Sequence, residues 1–118
     1  MKIINLTQHK STLDQQQAGV FDLEDSTELK NQLTFNSLPT LSEIQERAQA
    51  IALIAESANV KFAMIGGAGY LMPLLEQALK QKGIKPLHAF TQRVSIEKHE
   101  NGQVIKENVF KHVGFVGE

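Results

Sequence analysis

The chain has 118 residues, 42% of them hydrophobic, which is the size of one common domain with enough apolar content for a real core and excludes a disordered chain. Twelve Lys plus Arg stand against thirteen Asp plus Glu, for a formal net charge of −1, so no general attraction to the backbone of duplex nucleic acid is expected. There is no cysteine, which excludes disulfides, thiolate nucleophiles and cysteine-based zinc sites.

The N-terminus, MKIINLTQHK, does not read as a signal peptide, because Gln8, His9 and Lys10 follow at once on the apolar run of Ile3, Ile4 and Leu6. No segment approaches the ~20 apolar residues that span a bilayer. A soluble, cytoplasmic protein without membrane contact is the expectation.

In chain order, Lys2 to Leu6 is apolar and rich in β-branched residues, which predicts a strand. Ser11 or Thr12 can cap a short helix through Ala18, with Asp14 favourable in its first turn and Gly19 placed to end it. Leu29 and Leu33 share one face of a helix from about Thr27 to Leu33, capped by Asp25 or Ser26; the rest of residues 20–39 shows no clear period. Thr40 to Ala58 carries the strongest helical pattern. Leu41, Ile44, Ala48, Ile51, Ala52 and Ala55 form its stripe, and Thr40 with Glu43 fits a capping box.

Lys61 to Ile65 is a near-continuous apolar run, as in a strand covered on both faces. Gly66, Gly67 and Gly69 make a turn. Leu71, Leu74, Leu75, Ala78 and Leu79 then form the stripe of a packed helix, which must start near Tyr70 to Met72 because Pro73 fits only a first turn. Gly83 ends it. Leu87 to Phe90 is a third short strand, closed by Thr91, Gln92 and Arg93. Finally, Val94 to His99 and Gln103 to Phe110 flank Asn101-Gly102, a strong hairpin signal. A type I′ turn there sets Glu97 opposite Lys106 and Val94 opposite Val109, with a charge pair contributing about 0.2–1 kcal/mol. The fold class is therefore α/β: a single domain over residues 1–118, with a short parallel sheet of three strands and a C-terminal antiparallel hairpin at its edge.

Ligands of open α/β sheets bind beyond the carboxyl ends of the parallel strands. Three such ends turn polar or glycine-rich here: Asn5, Thr7, Gln8 and His9; Gly66, Gly67, Ala68 and Gly69; Thr91, Gln92 and Arg93. Glycines at a helix start suit an anion, because backbone N–H groups can approach it closely. The GGAG turn is neither the dinucleotide GxGxxG pattern nor a phosphate-binding P-loop, since Met72 stands where a third glycine is due and no Gly-Lys-Ser/Thr follows. Arg93 can pair with a phosphate or carboxylate, and His9 is the candidate acid or base. Gln8 and Gln92 can hydrogen-bond a base or ribose. For each of these a bland alternative competes: a tight turn, a surface arginine, a loop histidine. His88, His99 and His112 show no metal-ligand spacing, and neither a metal nor a cofactor is expected.

The blocks NLTQH, MIGGAGYLMP and HAFTQRVS resemble those of an uncharacterised small protein family of bacteria and their mobile elements. The architecture is similar to the small Rossmann-like, CRISPR-associated domains of the CARF type and the ring nucleases that bind cyclic oligoadenylate. That resemblance implies a three-layer domain, a homodimer, and a nucleotide ligand held by Gly66 to Gly69, Gln8, Gln92 and Arg93. It also implies metal-independent cleavage, in which a ribose 2′-hydroxyl attacks the neighbouring phosphate with help from His9 and Arg93. The chain departs from it in lacking a basic cluster. The competing reading is a non-enzymatic interaction or homodimerising protein that uses the C-terminal hairpin.

Overall fold

A computed structural model describes residues 1–117. The chain runs β1 (Ile3–Leu6), α1 (Leu13–Gln17), β2 (Val20–Phe21), α2 (Thr27–Leu33), α3 (Leu41–Ser57), β3 (Phe62–Ile65), α4 (Met72–Gln81), β4 (Lys85–Glu100) and β5 (Gln103–Val116). The strands form one sheet in the order β2-β1-β3-β4-β5. The first three contacts are parallel, and β5 pairs antiparallel with β4. From β1 the chain crosses one way to β2, then the other way to β3 and β4. Right-handed crossovers therefore place α1 on one face of the sheet and α2 to α4 on the other.

Alternation along the strands divides the core accordingly. Ile4, Leu6, Ala63 and Ile65 join Leu29, Leu33, Ile51, Leu75 and Leu79 in the larger cluster, under α2 to α4. Ile3, Met64, Leu87 and Val20 form the smaller one on the opposite face. The stripe of α3 is buried at Ile44, Ala48, Ile51, Ala52 and Ala55, whereas Leu41, in its first turn, is exposed.

Several details depart from the sequence reading. There are four parallel strands, not three, because Val20–Phe21 pairs with β1 as a two-residue edge strand. The third strand does not stop at Phe90. It continues unbroken to Glu100 and is itself the first strand of the hairpin. Thr91, Gln92 and Arg93 therefore sit in a two-stranded ribbon, which tolerates polar residues because it is solvated on both faces. Thr40 Oγ1 accepts from Glu43 N, but the Glu43 carboxylate turns to Arg47 at 3.1 Å instead of reaching back to the cap. The complete capping box lies in α1, between Thr12 and Gln15.

The hairpin register matches expectation: Glu97 lies opposite Lys106 and Val94 opposite Val109. Asn101 and Gly102 have φ of 51° and 75°, as a type I′ turn requires. The ion pair that forms on the ribbon is the diagonal Lys98–Glu107 contact, at 2.7 Å, in place of Glu97–Lys106. A bulge at Phe90/Thr91 marks where the ribbon leaves the sheet.

Candidate functional site

β1 and β3 are neighbours, yet the chain leaves them toward opposite edges of the sheet. That divergence is the topological switch point, where the connecting loops part and leave a crevice. A cleft of about 500 Å³ opens there. Its walls are Thr7, Gln8, His9, Lys10, Thr12 and Gln15 after β1, Met64 to Gly67 from β3, and His88 with Ala89 from β4. The lining holds Lys10 and two histidines and no carboxylate.

The loop after β1 owes its shape to Asn5, a polar residue only 4% exposed. Asn5 Nδ2 donates to His9 O and to Asp22 Oδ1, each at 2.7 Å. Asn5 Oδ1 accepts from Thr7 N at 3.0 Å and from Thr7 Oγ1 at 2.7 Å. One buried amide thus uses its full hydrogen-bonding capacity, as a buried polar group must, and bends Thr7 to His9 over the strand end. Asp22, just past β2, completes the clamp by accepting from Ser11 N at 3.2 Å. Burial alone pushes the Asp22 carboxyl up; the hydrogen bonds from Asn5 and Ser11, with nearby Lys10, outweigh it and hold the group below the ordinary carboxylate range.

Of the residues anticipated from sequence, Gln8, His9, Gly66 and Gly67 come together in the cleft. Gln8 Nε2 also donates to Thr34 Oγ1 at 3.2 Å, which ties the loop to the end of α2. A Cβ on Gly66 would stand 3.4 Å from Thr7 Cγ2, so the two strand ends are in contact. Gly67 adopts φ +144°, a conformation that favours glycine. Ala68 and Gly69 do not line the cleft. They lead into a turn closed by Leu71 N and Ala68 O at 3.0 Å, and α4 begins only at Met72. The glycine turn therefore does not open the helix directly.

Gln92 and Arg93 are not brought to the cleft. Both are exposed on the ribbon, and the Arg93 guanidinium lies over the Phe110 ring, 5.5 Å from its centroid.

Lys10, Thr12, Gln15 and His88 also line the cleft and are not site candidates from sequence, where Thr12 reads only as a helix cap and His88 lacks metal-ligand spacing. Thr12-x-x-Gln15 is itself a capping-box spacing, so that signal was present. His88 is in register with Ile65, which places it at the end of its strand, and its Nε2 lies 2.8 Å from Glu76 Oε1 on α4. Asn5 was visible as a polar residue inside the apolar run IINL. Among the described residues, no three His, Asp or Glu are grouped to hold a metal ion. No helix among the described residues is long and apolar enough to cross a membrane.

Fold and cleft together describe an α/β protein with a concavity at the switch point of its sheet. The chain belongs to the family described as the uncharacterized protein MJ1673 family, whose model matches residues 1–116. No curated protein and no solved structure matches it.

Proposed function

We propose that the cleft binds a nucleotide, with a cyclic oligonucleotide as the preferred class, and that bound ligand is cleaved at a phosphodiester. One observation carries the reading: the switch-point cleft is lined by Lys10, His9, His88, two glutamines and a glycine turn, and by no carboxylate. Such a lining favours an anion and offers hydrogen bonds to a base or ribose. The resemblance of the sequence to CARF-type domains suggests the same ligand class, by analogy of fold alone.

In the proposed reaction a ribose 2′-oxygen bonds to the adjacent phosphorus while the bond to the 5′-oxygen breaks. The products are a 2′,3′-cyclic phosphate and a 5′-hydroxyl. His9 takes the 2′-proton, and the same imidazolium returns a proton to the departing 5′-oxygen. Lys10 faces the charge that builds on the phosphate, the role that the resemblance implies for Arg93. Gln8, Gln15 and the Gly66–Gly67 backbone hold base and phosphate in place.

Calorimetry of the full chain against adenosine mono- and dinucleotides and cyclic oligoadenylates tests the binding. At least one should bind, Lys10→Ala should weaken it about tenfold, or ~1.4 kcal/mol, and Arg93→Ala should leave it unchanged. His9→Ala should bind but not cleave. Absence of binding by every ligand at about 1 mM, a concentration that detects even weak sites, would overturn the reading.

A further inference from the structure

The hairpin poses a problem that the cleft does not address. Beyond the bulge at Phe90/Thr91, β4 has no partner but β5, and β5 is the edge of the sheet. The ribbon projects as an arm, and the molecule measures 58 × 35 × 25 Å. An isolated two-stranded ribbon is at best marginally stable in water; it needs a third strand or a packed face. Seven large apolar side chains of β4 and β5, from Phe90 and Ile96 to Val113 and Val116, are 37–68% exposed. They occur on both faces: Ile105 shares the Val94 face, and Phe110 lies opposite Arg93 on the other.

We infer that the arm is an interface with a second copy of this chain, each arm lying across the other protomer. Two features select a second copy as the occupant. The first is area. The seven side chains expose on the order of 700 Å² per copy, so a reciprocal pair supplies on the order of 1,400 Å², within the ~1,200–2,000 Å² of a specific, stable interface. The second is charge. Arg93, Lys98, Lys106 and Lys111 are nearly balanced along the arm by Glu97, Glu100 and Glu107. A near-neutral surface meets its own copy without net repulsion and has little to attract a polyanion or an anionic membrane. The two open strand edges add backbone donors and acceptors for the same contact. This inference is independent of what the cleft binds.

Sedimentation equilibrium of the full chain gives the test. The wild type should be dimeric at about 100 μM, well above the dissociation constants usual for interfaces of this size. Ile105→Glu and Phe110→Glu, made separately, should each raise the dimer dissociation constant at least tenfold. Far-UV circular dichroism should remain that of the wild type, because both side chains are already exposed. Leu38→Glu, at a site off the arm that is 96% exposed, should leave the dimer intact. A monomeric wild type overturns the inference. So does a dimer that withstands both arm substitutions, and so does dissociation by Leu38→Glu.

Discussion

Replacing Asn5 should damage this protein more than its small polar side chain suggests, and the damage should depend on pH in a particular direction. Asn5→Ala removes the bonds to Thr7 N, His9 O and Asp22 Oδ1; Thr7 Oγ1 keeps its contact with His9 O at 3.1 Å. At about 1 kcal/mol for each of the three bonds, with the bond to exposed, charged Asp22 counted no higher than a neutral one, the loss is about 3 kcal/mol. For a domain of this size that lowers the melting temperature by roughly 12 °C.

Asn5→Asp separates geometry from charge. It keeps the acceptor for Thr7 but sets a second carboxylate where Asp22 Oδ1 now receives an N–H at 2.7 Å. In the wild type the Asp22 pKa is depressed. Its contribution is therefore fully present above the ordinary carboxylate pKa and is lost as pH falls through the folded-state value. Two facing carboxylates raise the pKa of the pair instead. The contribution is then present at low pH and lost as pH rises through the raised value. Asn5→Asp should accordingly be more stable at about pH 4.5 than at about pH 7, the reverse of the Asp22 term in the wild type. Urea unfolding followed by far-UV circular dichroism measures both effects, and suits a chain with no tryptophan and one tyrosine. A loss below about 1 kcal/mol for Asn5→Ala, or a wild-type pH slope for Asn5→Asp, would refute the clamp.

Two further outcomes follow from the elements around the site. Arg47 Nη1 donates to the carbonyls of Asn31, Gln32 and Thr34 at 2.7–3.1 Å, closing the C-terminus of α2, while its guanidinium lies 4.7 Å from the Phe35 ring centroid. Arg47→Lys keeps the charge but loses the planar fork, and should cost about 1–2 kcal/mol, with faster amide hydrogen exchange in α2; unchanged exchange there would count against Arg47 as its closure. Gly67→Ala should cost about 1–3 kcal/mol in urea unfolding, because φ is +144° even though the added Cβ would meet only ordinary contacts at 3.7 and 3.9 Å. Gly69→Ala, with open space around it and no positive φ, should change stability by less than about 0.5 kcal/mol; equal effects at the two glycines would refute the distinction.

Long periodic signals were legible in the sequence because each repeats one physical constraint many times. The buried stripe of α3 follows from such a pattern; α2 was legible from the single pair Leu29 and Leu33, and the hairpin register from the Asn101-Gly102 turn. β2 was not legible, since two residues carry no period and Val20–Phe21 becomes a strand only because β1 lies beside it. The polar residues Thr91 to Arg93 read as a strand end on the rule that a strand stops where apolar residues give way to polar ones. A solvated ribbon sets no such rule, so β4 runs on and carries Gln92 and Arg93 away from the cleft. Gln8, His9, Gly66 and Gly67 were found through the switch from apolar to polar at strand ends. His88 was missed because its position depends on register with β3, which one strand alone does not reveal.

The strand order also orders the assembly of the chain. β1, α1 and β2 close within a short stretch, fastened by Asn5 and Asp22, and β4 folds back on β5 across a two-residue turn. The contact that joins these two parts is β1 against β3, and it requires closure of the long crossover from Phe21 to Phe62. Loop-closure entropy makes that pairing the most demanding step topologically. The cleft lies on this seam, so it has no existence in either half alone. Its walls meet only when the two paired strands farthest apart along the chain have found each other.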